Sequence, residues 1–344
     1  MHRYSGSYVN GVDRIATALS HKDRREAALK AWSTIRLNRI NDIKSENESI
    51  DDYIFDRDSR KVENGTYLIS TPLIKPSRLT WVEKGGVGKE LSDGWALNFA
   101  IGCTHACRFC YVDSIHKRYG QKRGGSIVNR PWGNYFLVPS NIEQAIQDTK
   151  WSRWEGVEAM MSSTHDPYLP QLVPITRKIL KTALPAGVRL CIQTRSPLVL
   201  RDLPFLAEYR DQIRLQISIA TMDKKFASVI EPRVAPPESR LKVLAQAARL
   251  GIDTGIILAP IFPPVALRPN VRKDMKALVE GIARVTPKHI YGESLHTRGS
   301  NMSELEIALE EKIELGNFDA AAEKLFHSML KEHDLKGRWW KEHR

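Results

Sequence analysis

The chain has 344 residues, 42% of them hydrophobic, so it is long and apolar enough to bury a core and is not a disordered protein. Its 52 lysines and arginines against 40 acidic residues give a net charge of +12, which suits an acidic partner such as nucleic acid and equally a solvated basic surface. The polar first ten residues do not resemble a signal peptide, and no stretch of about 20 apolar residues occurs. We therefore expect a cytoplasmic protein with no membrane span, whose cysteines are reduced.

The first region, residues 1–92, is predicted to be an extension made of a helix and short strands. Ser20 is placed to cap the helix, and Leu29, Trp32 and Ile35 follow at helical spacing. A strand-like run covers Thr66 to Ile69. The glycine cluster at 85–88 predicts a turn, because it lacks the Lys-Ser/Thr ending of a phosphate-binding loop.

The second region, residues 93–300, alternates short apolar runs with helical patterns. The predicted strands are Ala96 to Ile101, Gly156 to Met161, Arg189 to Thr194, Ile213 to Ile219, Thr254 to Leu258 and Lys288 to Tyr291. Helical patterns such as Leu172 to Leu184 and Ser239 to Leu250 lie between them. This alternation predicts an α/β fold with a parallel sheet, either barrel-like or doubly wound. In such barrels the chemistry lies at the carboxyl ends of the strands.

The third region, residues 301–344, is predicted to be helical. The two helices cover Glu304 to Leu315 and Ala320 to His333, and a segment rich in cations and tryptophan ends the chain.

Three cysteines directly follow the first predicted strand of the second region. Cys103, Cys107 and Cys110 form a C-x3-C-x2-C pattern, and three thiolates this close can ligate three of the four irons of a [4Fe–4S] cluster, leaving the fourth iron open. Two alternatives stay open: a structural zinc site with Cys191 or a histidine as the fourth ligand, and three unrelated cysteines. Cys191 lies inside a predicted strand, as a core thiol would.

The cysteine motif and its context resemble the radical S-adenosylmethionine (SAM) superfamily, in the spore photoproduct lyase-like or "DNA repair photolyase" branch. The matching stretches, in the family's order, are Gly102 to Tyr111, Ser162 to Tyr168, Thr194 to Asp202, Ile217 to Ile219, Glu231-Pro232 and Gly255 to Pro260. Each stretch is short, and the ordered set is the specific signal. It covers residues 96–261.

The resemblance implies a partial (β/α)6 TIM-like barrel of radical SAM type, flanked by the N-terminal extension and the helical C-terminal tail. It also implies that SAM chelates the open iron and is cleaved reductively to a 5′-deoxyadenosyl radical, with electrons from a donor such as flavodoxin or ferredoxin. Carried over by position, the implied SAM-site residues are Tyr111 beside the cluster loop, Ser163, Thr164 and Asp166 near the amino group, Arg195 at the carboxylate, Ser218 at the ribose, and Ile256 within the adenine-packing stretch Gly255 to Leu258. A guanidinium suits a carboxylate because the two pair bidentately.

One departure concerns the hydrogen-atom donor. Spore photoproduct lyases place a cysteine where this chain has Ser163, and a serine O–H is a much poorer hydrogen-atom donor than a thiol. The resemblance therefore does not extend to photoproduct repair itself.

The substrate is predicted less sharply than the cofactors. Aromatic and cationic residues are interleaved at 151–154 and 338–341, a pattern that can stack bases and hold phosphates, although tryptophans also anchor helices. Further polar residues near strand ends are Arg201, Asp202, Glu231, Arg233, Glu293 and His296. Three hypotheses follow: a radical SAM enzyme acting on DNA, RNA or a nucleotide, one acting on a small molecule or peptide, and a zinc-stapled nucleic-acid-binding protein without catalysis.

Overall fold

The computed structural model describes residues 30, 34, 62–77, 92–120 and 125–340. The glycine cluster and nearly all of the predicted N-terminal helix lie outside these residues. Of that helix only Lys30 and Thr34 are described, and the Thr34 hydroxyl donates to the Lys30 carbonyl at 3.1 Å.

The central feature of the fold is one eight-stranded sheet. Its order is β10-β9-β8-β7-β6-β5-β3-β2, and every neighbouring pair is parallel except β2 with β3. The strands are β2 (Ile74–Pro76), β3 (Trp95–Leu97), β5 (Glu158–Met161), β6 (Arg189–Thr194), β7 (Ile213–Ser218), β8 (Asp253–Ile261), β9 (His289–Ser294) and β10 (Arg338–Trp339). The six predicted strands are β3 and β5 to β9, so the prediction of an α/β fold with a parallel sheet is confirmed.

A second, two-stranded sheet was not predicted as such. It pairs β1 (Glu63–Tyr67) in parallel with β4 (Tyr135–Pro139). The Leu137 N–H also donates to the Ile101 carbonyl at 2.8 Å, which attaches this sheet to the segment before the cysteines.

Helices follow most strands, as a parallel sheet requires. They are α1 (Val112–Ile115), α2 (Ile142–Asp148), α3 (Val173–Ala183), α4 (Leu203–Leu206), α5 (Lys224–Ile230), α6 (Pro237–Arg249), α7 (Val271–Val285), α8 (Asn301–Leu309) and α9 (Phe318–Glu332). Helix α8 stops before the predicted end at Leu315, because Glu310 adopts a left-handed conformation with φ of 57°. None of the helices that the structure describes is long and apolar enough to cross a membrane.

The two faces of the main sheet differ in chemistry. Side chains alternate between faces along a strand, and the register aligns Cys191, Arg214 and Asp253 on one face. The other face carries apolar residues, among them Ile217 and Ile256, which pair in register and are fully buried. On the polar face, Arg214 on β7 reaches past β6 to Glu158 on β5 at 3.3 Å.

Short strands from both flanking regions join this sheet. β2 extends it before residue 93, and β10 extends it after residue 300, where Trp339 packs on Phe326 with ring centroids 5.3 Å apart. The division into residues 1–92, 93–300 and 301–344 stays a prediction.

Candidate functional site

The cysteine loop begins a few residues after β3, at the carboxyl end of the sheet, and close packing fixes its shape. Gly102 has φ of 90°, and a Cβ there would lie 2.5 Å from the Tyr135 carbonyl oxygen. Ala106 has φ of 55°, and its Cβ would lie 2.3 Å from a Cβ placed on Gly133. The loop is therefore held against the β4 segment at two points where only glycine fits.

Two of the three loop cysteines, Cys103 and Cys107, are buried, Cys110 is half-buried, and the three thiols influence one another. Burial raises the pKa of Cys103 and of Cys110 to about 12, and burial likewise raises the pKa of Cys107. Each thiolate would raise the pKa of another thiol in the loop, whereas the positive charge of Arg195 lowers the pKa of Cys107 and Cys110. Metal coordination deprotonates thiols outright, and the Arg195 guanidinium would offset part of the resulting negative charge.

Nearby backbone N–H groups act on these thiols in the same direction as Arg195. Those of His105 and Asp166 lower the pKa of Cys103, and that of Val112 lowers the pKa of Cys110. Such donors stabilise a thiolate, so the donor set fits an iron–sulfur cluster.

The fourth ligand that a closed zinc site needs is engaged elsewhere. Cys191 is buried on β6 in the field of Glu158, Arg214 and Asp253. His105 has Nε2 3.0 Å from Asp166 Oδ2. Among the described residues no three His, Cys, Asp or Glu side chains converge closely enough to hold a single metal ion. A cubane cluster makes no such demand, because each thiolate binds a different iron.

Asp166 connects the cysteine loop with the ends of β5 and β6. Besides His105, its carboxylate accepts hydrogen bonds from Thr194 Oγ1 at 2.6 Å, the Arg195 N–H at 2.7 Å and the Tyr168 N–H at 2.9 Å. Burial alone would raise the pKa of Asp166, but these donors, led by His105, hold it below its usual value. Asp166 is therefore an ionised, fully bonded anchor.

Ser163 and Thr164 follow β5 and are half-buried. Asn98 lies just after β3. Its Oδ1 accepts a hydrogen bond from the Ser163 N–H at 2.9 Å, and its Nδ2 donates to Ser163 Oγ at 3.0 Å. Thr164 Oγ1 lies 3.4 Å from His165 Nδ1. Both hydroxyls thus stand at the carboxyl end of β5, beside the Asp166 anchor.

Arg195 follows β6 and is the half-buried member of a charge triad whose other two members, Glu231 and Arg240, are buried. Its Nε donates to Glu231 Oε1 at 3.0 Å, its Nη2 donates to the Ala259 carbonyl at 3.2 Å, and its guanidinium lies 5.4 Å from the Phe109 ring centroid. Arg240 on α6 also binds Glu231 through both carboxylate oxygens, at 2.5 and 3.2 Å. Two guanidiniums share one carboxylate, which leaves a net positive charge beside the cysteine loop.

Ser218 and Ile256 lie on different faces of the sheet. Ser218 ends β7 on the polar face, and its carbonyl accepts a hydrogen bond from Arg240 Nη1 at 2.8 Å. Ile256 lies on the apolar face, one residue beyond Gly255 on the polar face. The Ile256 side chain therefore points away from Arg214 and Asp253, and the β8 positions on the polar face are Gly255 and Ile257.

Tyr111 lies at the opposite end of the cysteine loop from Cys103, where it precedes α1. The Arg298 guanidinium lies 5.4 Å from its ring centroid, and Arg298 Nη2 donates to Glu293 Oε1 at 2.8 Å. Burial raises the pKa of Tyr111 above its usual value, and Cys110 raises it further.

Helix α8 covers the loop from the C-terminal side. Asn301 Nδ2 donates to the Phe109 carbonyl at 3.3 Å, and Leu305 is fully buried in an apolar cluster with Cys107, Phe109 and Phe262. The loop is thus shielded by residues outside the predicted core region.

Three of the four tryptophans suggested for base stacking pack against other parts of the protein. Trp151 is buried and donates to the Ile146 carbonyl at 2.9 Å, and Trp339 donates to Asp319 at 3.2 Å. Trp154 meets Trp95 edge-on at 4.6 Å. These three favour the helix-anchor alternative, Trp340 is half-buried, and Lys341 lies outside the described residues.

The comparison with protein families identifies the superfamily. The family model described as the radical SAM superfamily matches residues 97–267, which hold the cysteine loop and the strands β5 to β8. The chain belongs to the radical SAM superfamily. Membership implies an enzyme that uses an iron–sulfur cluster and SAM.

This radical SAM protein has relatives that carry no functional name. It is 55% identical over 295 residues to the uncharacterized protein ORF301 of Acidianus two-tailed virus, covering 86% of this chain and 98% of that protein. It is 29% identical over 171 residues to the uncharacterized protein MJ0683 of Methanocaldococcus jannaschii, covering 49% of this chain and 61% of that protein.

Solved structures share the fold. Spore photoproduct lyase complexed with dinucleoside spore photoproduct superposes with a TM-score of 0.57 at 14% identity, covering 80% of this chain and 81% of that one. A double mutant of that lyase with bound AdoMet and dinucleoside spore photoproduct gives 0.55 at 14% identity, with the same coverage. These likenesses show that the radical SAM fold extends over most of the chain.

Sequence reasoning missed the partners that organise this radical SAM site. Glu231 was singled out without a role, and Arg240, Asn98 and the His105 contact were not foreseen. One signal was available: Arg240 occupies the same helical face as Val243, Leu244 and Ala247, all buried, so its charge needed a partner.

Proposed function

We propose that this radical SAM protein holds a [4Fe–4S] cluster on Cys103, Cys107 and Cys110 and binds SAM at the iron that these thiolates leave open. The supporting observation is a loop of three thiols, two buried and one half-buried, beside the Arg195 guanidinium at the carboxyl ends of the strands. When bound, the cluster would supply the electron and the open iron site for reductive cleavage of SAM to a 5′-deoxyadenosyl radical.

The charge triad and the strand ends would orient SAM. The single carboxylate of Glu231 binds the guanidiniums of both Arg195 and Arg240, so the triad keeps one positive charge. The Arg195 guanidinium therefore suits the SAM carboxylate. Ser163 and Thr164 present hydroxyl groups for the amino group, with Asp166 as the anchor beneath them.

The nucleoside part of SAM would lie further along the sheet edge. Ser218 is proposed at the ribose, and β8 around Ile256 at the adenine, through the backbone rather than the Ile256 side chain. Tyr111 would stand at the Cys110 end of the cluster.

The proposed substrate is a nucleic acid or nucleotide, which the enzyme repairs or modifies. The net charge of +12 supports an acidic substrate, and the structurally similar lyase binds a dinucleoside. Ser163 replaces the lyase cysteine, so we propose a reaction other than photoproduct reversal. A flavodoxin or ferredoxin in the cytoplasm would deliver the electron.

The cofactor proposal is tested by anaerobic reconstitution with iron and sulfide, followed by a deoxyadenosine assay with SAM and dithionite. Cys107→Ala is expected to lose cluster iron and deoxyadenosine together. Cys191→Ala, which removes the fourth cysteine of the chain, is expected to keep both. A protein that instead holds one zinc and leaves SAM intact would refute the proposal.

The substrate proposal is tested separately by binding a single-stranded DNA oligonucleotide at increasing salt. Binding that weakens steeply with salt supports phosphate contacts. Binding that is absent even at low salt would favour the small-molecule or peptide alternative.

A further inference from the structure

The polar face of the main sheet carries a row of neutral residues near the carboxyl ends of the strands. Gln193 on β6, Gln216 on β7 and Gly255 on β8 pair in register. Gln216 lies two residues beyond Arg214 on the same strand, so the row belongs to the polar face. Ser218, which is proposed at the SAM ribose, lies two residues further along β7. The row is therefore adjacent, on the amino side, to the proposed nucleoside end of SAM.

The Gln216 side chain is fully buried, and its amide group is unpaired. Gln216 is 0% exposed, and neither its Oε1 nor its Nε2 has a hydrogen-bond partner among the described residues. Gln193 Nε2 is also buried without a partner within this part of the chain. A buried amide that makes no hydrogen bond costs the protein the free energy of removing it from water. The stability of the fold therefore does not account for a glutamine at this position.

Gly255 leaves the space that the Gln216 side chain occupies. A Cβ on Gly255 would lie 3.2 Å from Gln216 Cγ, 3.3 Å from Gln216 Cδ and 3.2 Å from His289 Cβ. The Gln216 side chain thus extends from β7 across β8. A methyl group at position 255 would push the Gln216 amide out of this place.

Solvent reaches the polar face close to this amide. Gln193, beside Gln216 on β6, and Ile257 on β8 are half-buried. On the apolar face of the same strands, Ile217 and Ile256 are fully buried. The space around the row is therefore open on the polar side only, where a ligand that enters at the carboxyl ends of the strands would meet the Gln216 amide.

We propose that Gln216, with Gln193 beside it, binds the hydrogen-bonding edge of a nucleobase. The inference rests on the proposed function. A carboxamide offers an acceptor and two donors, and it pairs bidentately with a base edge that presents a donor beside an acceptor, as adenine does. A neutral amide suits a neutral base, whereas phosphates and carboxylates need cations such as Arg195. The base belongs to the substrate or is the adenine of SAM, and the two sources give different results below.

The first measurement is thermal unfolding of the metal-free full chain. Gln216→Met keeps the length of the side chain and removes the unpaired amide, so its unfolding temperature is expected to equal or exceed that of the wild type. The control is Thr149→Val, which removes a buried hydroxyl that donates to the Ala145 carbonyl at 2.7 Å and accepts the Leu73 N–H at 3.1 Å. This variant is expected to unfold at a lower temperature. If Gln216→Met falls as far as Thr149→Val, the amide has a structural role and the inference is wrong.

The second measurement titrates the reconstituted protein, saturated with SAM, with single-stranded homopolymers of adenine, cytosine or thymine nucleotides. The wild type is expected to prefer one base at least about tenfold, because a bidentate pair discriminates that strongly. Gln216→Met is expected to bind the homopolymers within about twofold of one another, because the remaining phosphate contacts are independent of sequence. Gly255→Ala, which displaces the amide without removing it, is expected to weaken the same preference.

Equilibrium dialysis of SAM identifies the source of the base. If Gln216 binds a base of the substrate, Gln216→Met keeps the wild-type affinity for SAM. If Gln216 binds the adenine of SAM, the variant loses about tenfold in affinity for SAM and keeps the wild-type preference among homopolymers. If neither quantity depends on Gln216, the inference is overturned. Failure of the proposed function would show instead as missing iron and deoxyadenosine in the wild type, whereas the thermal measurement tests the inference without iron.

Discussion

The two ends of the main sheet contain the same kinds of charged pairs in different surroundings. At the carboxyl end, which we call the mouth, Glu231 and Asp166 are at most 8% exposed and each binds two or more donors. At the amino end, the foot, Glu158 pairs with Arg214 at 3.3 Å, and Asp253 pairs with His289 with both side chains about 30% exposed.

The charged pairs at the two ends connect different parts of the fold. The foot pairs connect strands of the main sheet to one another, β5 with β7 and β8 with β9. The mouth pairs connect loops that follow β3, β5 and β6 to one another and to the cysteines. Loops at the carboxyl ends can vary without disturbing the sheet, which is why function is located there.

The largest expected difference between the ends concerns the free energy of unfolding. Glu231→Gln leaves two guanidiniums, that of Arg240 at 1% exposure and that of Arg195 at 24%, without their shared carboxylate, and we expect a loss of about 3–5 kcal/mol. Glu158→Gln at the foot affects the single guanidinium of Arg214, at 15% exposure, and we expect a loss of about 1–2 kcal/mol. Urea unfolding of both variants measures the difference, and equal losses would remove the distinction between mouth and foot.

A second test concerns His116, which accepts the Gly102 N–H through Nδ1 at 3.1 Å at the mouth. Burial lowers the pKa of His116 from 6.5 to about 4. The unfolded chain protonates His116 near pH 6.5, whereas the folded chain does so only near pH 4. The stability of the folded chain with neutral His116 is therefore complete above pH 6.5 and is lost as the pH falls toward 4. The expected loss is on the order of 3 kcal/mol.

The measurement for His116 is urea unfolding between pH 7 and 4.5. The control is His116→Asn, whose side-chain oxygen can accept the same N–H and does not titrate in this range. The wild type should lose more stability than the variant over this interval. Parallel curves would mean that His116 does not couple the cysteine loop to pH.

The smallest expected effect compares two glycines with positive φ, Gly133 at the mouth and Gly156 at the foot. An added Cβ at Gly133 would lie 2.3 Å from the Ala106 Cβ, whereas one at Gly156 would meet no atom within 4 Å. Gly133→Ala should cost about 2–3 kcal/mol, from packing and strain. Gly156→Ala should cost about 1–2 kcal/mol, from strain alone.

Thermal unfolding and iron content after reconstitution distinguish these two variants. Gly133→Ala should also bind less iron, because the cysteine loop must shift to admit the methyl group. Full iron binding by Gly133→Ala would show that the loop tolerates that movement.

Much of the fold was predictable because it is encoded locally. β6 was predicted to the residue, since Arg189–Thr194 is an apolar run between a glycine turn and a Ser-Pro turn. Helix α7 was missed although its apolar positions recur regularly and Asn270 caps it, accepting the Lys273 N–H at 2.8 Å. β4 was missed because its five residues gain their partner, β1, only through a long connection.

The superfamily resemblance, the cysteine loop and the six parallel core strands could be predicted from the amino-acid sequence, because spacing and periodicity are properties of neighbouring residues. The order of the strands in the sheet and the partners that hold the loop required the folded structure. His105 meets Asp166 across 61 residues, and Asn301 meets Phe109 across 192. It also decided that Ile256 faces the apolar side, since one residue of register exchanges the two faces of a strand. Contacts over such separations depend on how the strands and helices pack, which no local pattern of residues encodes.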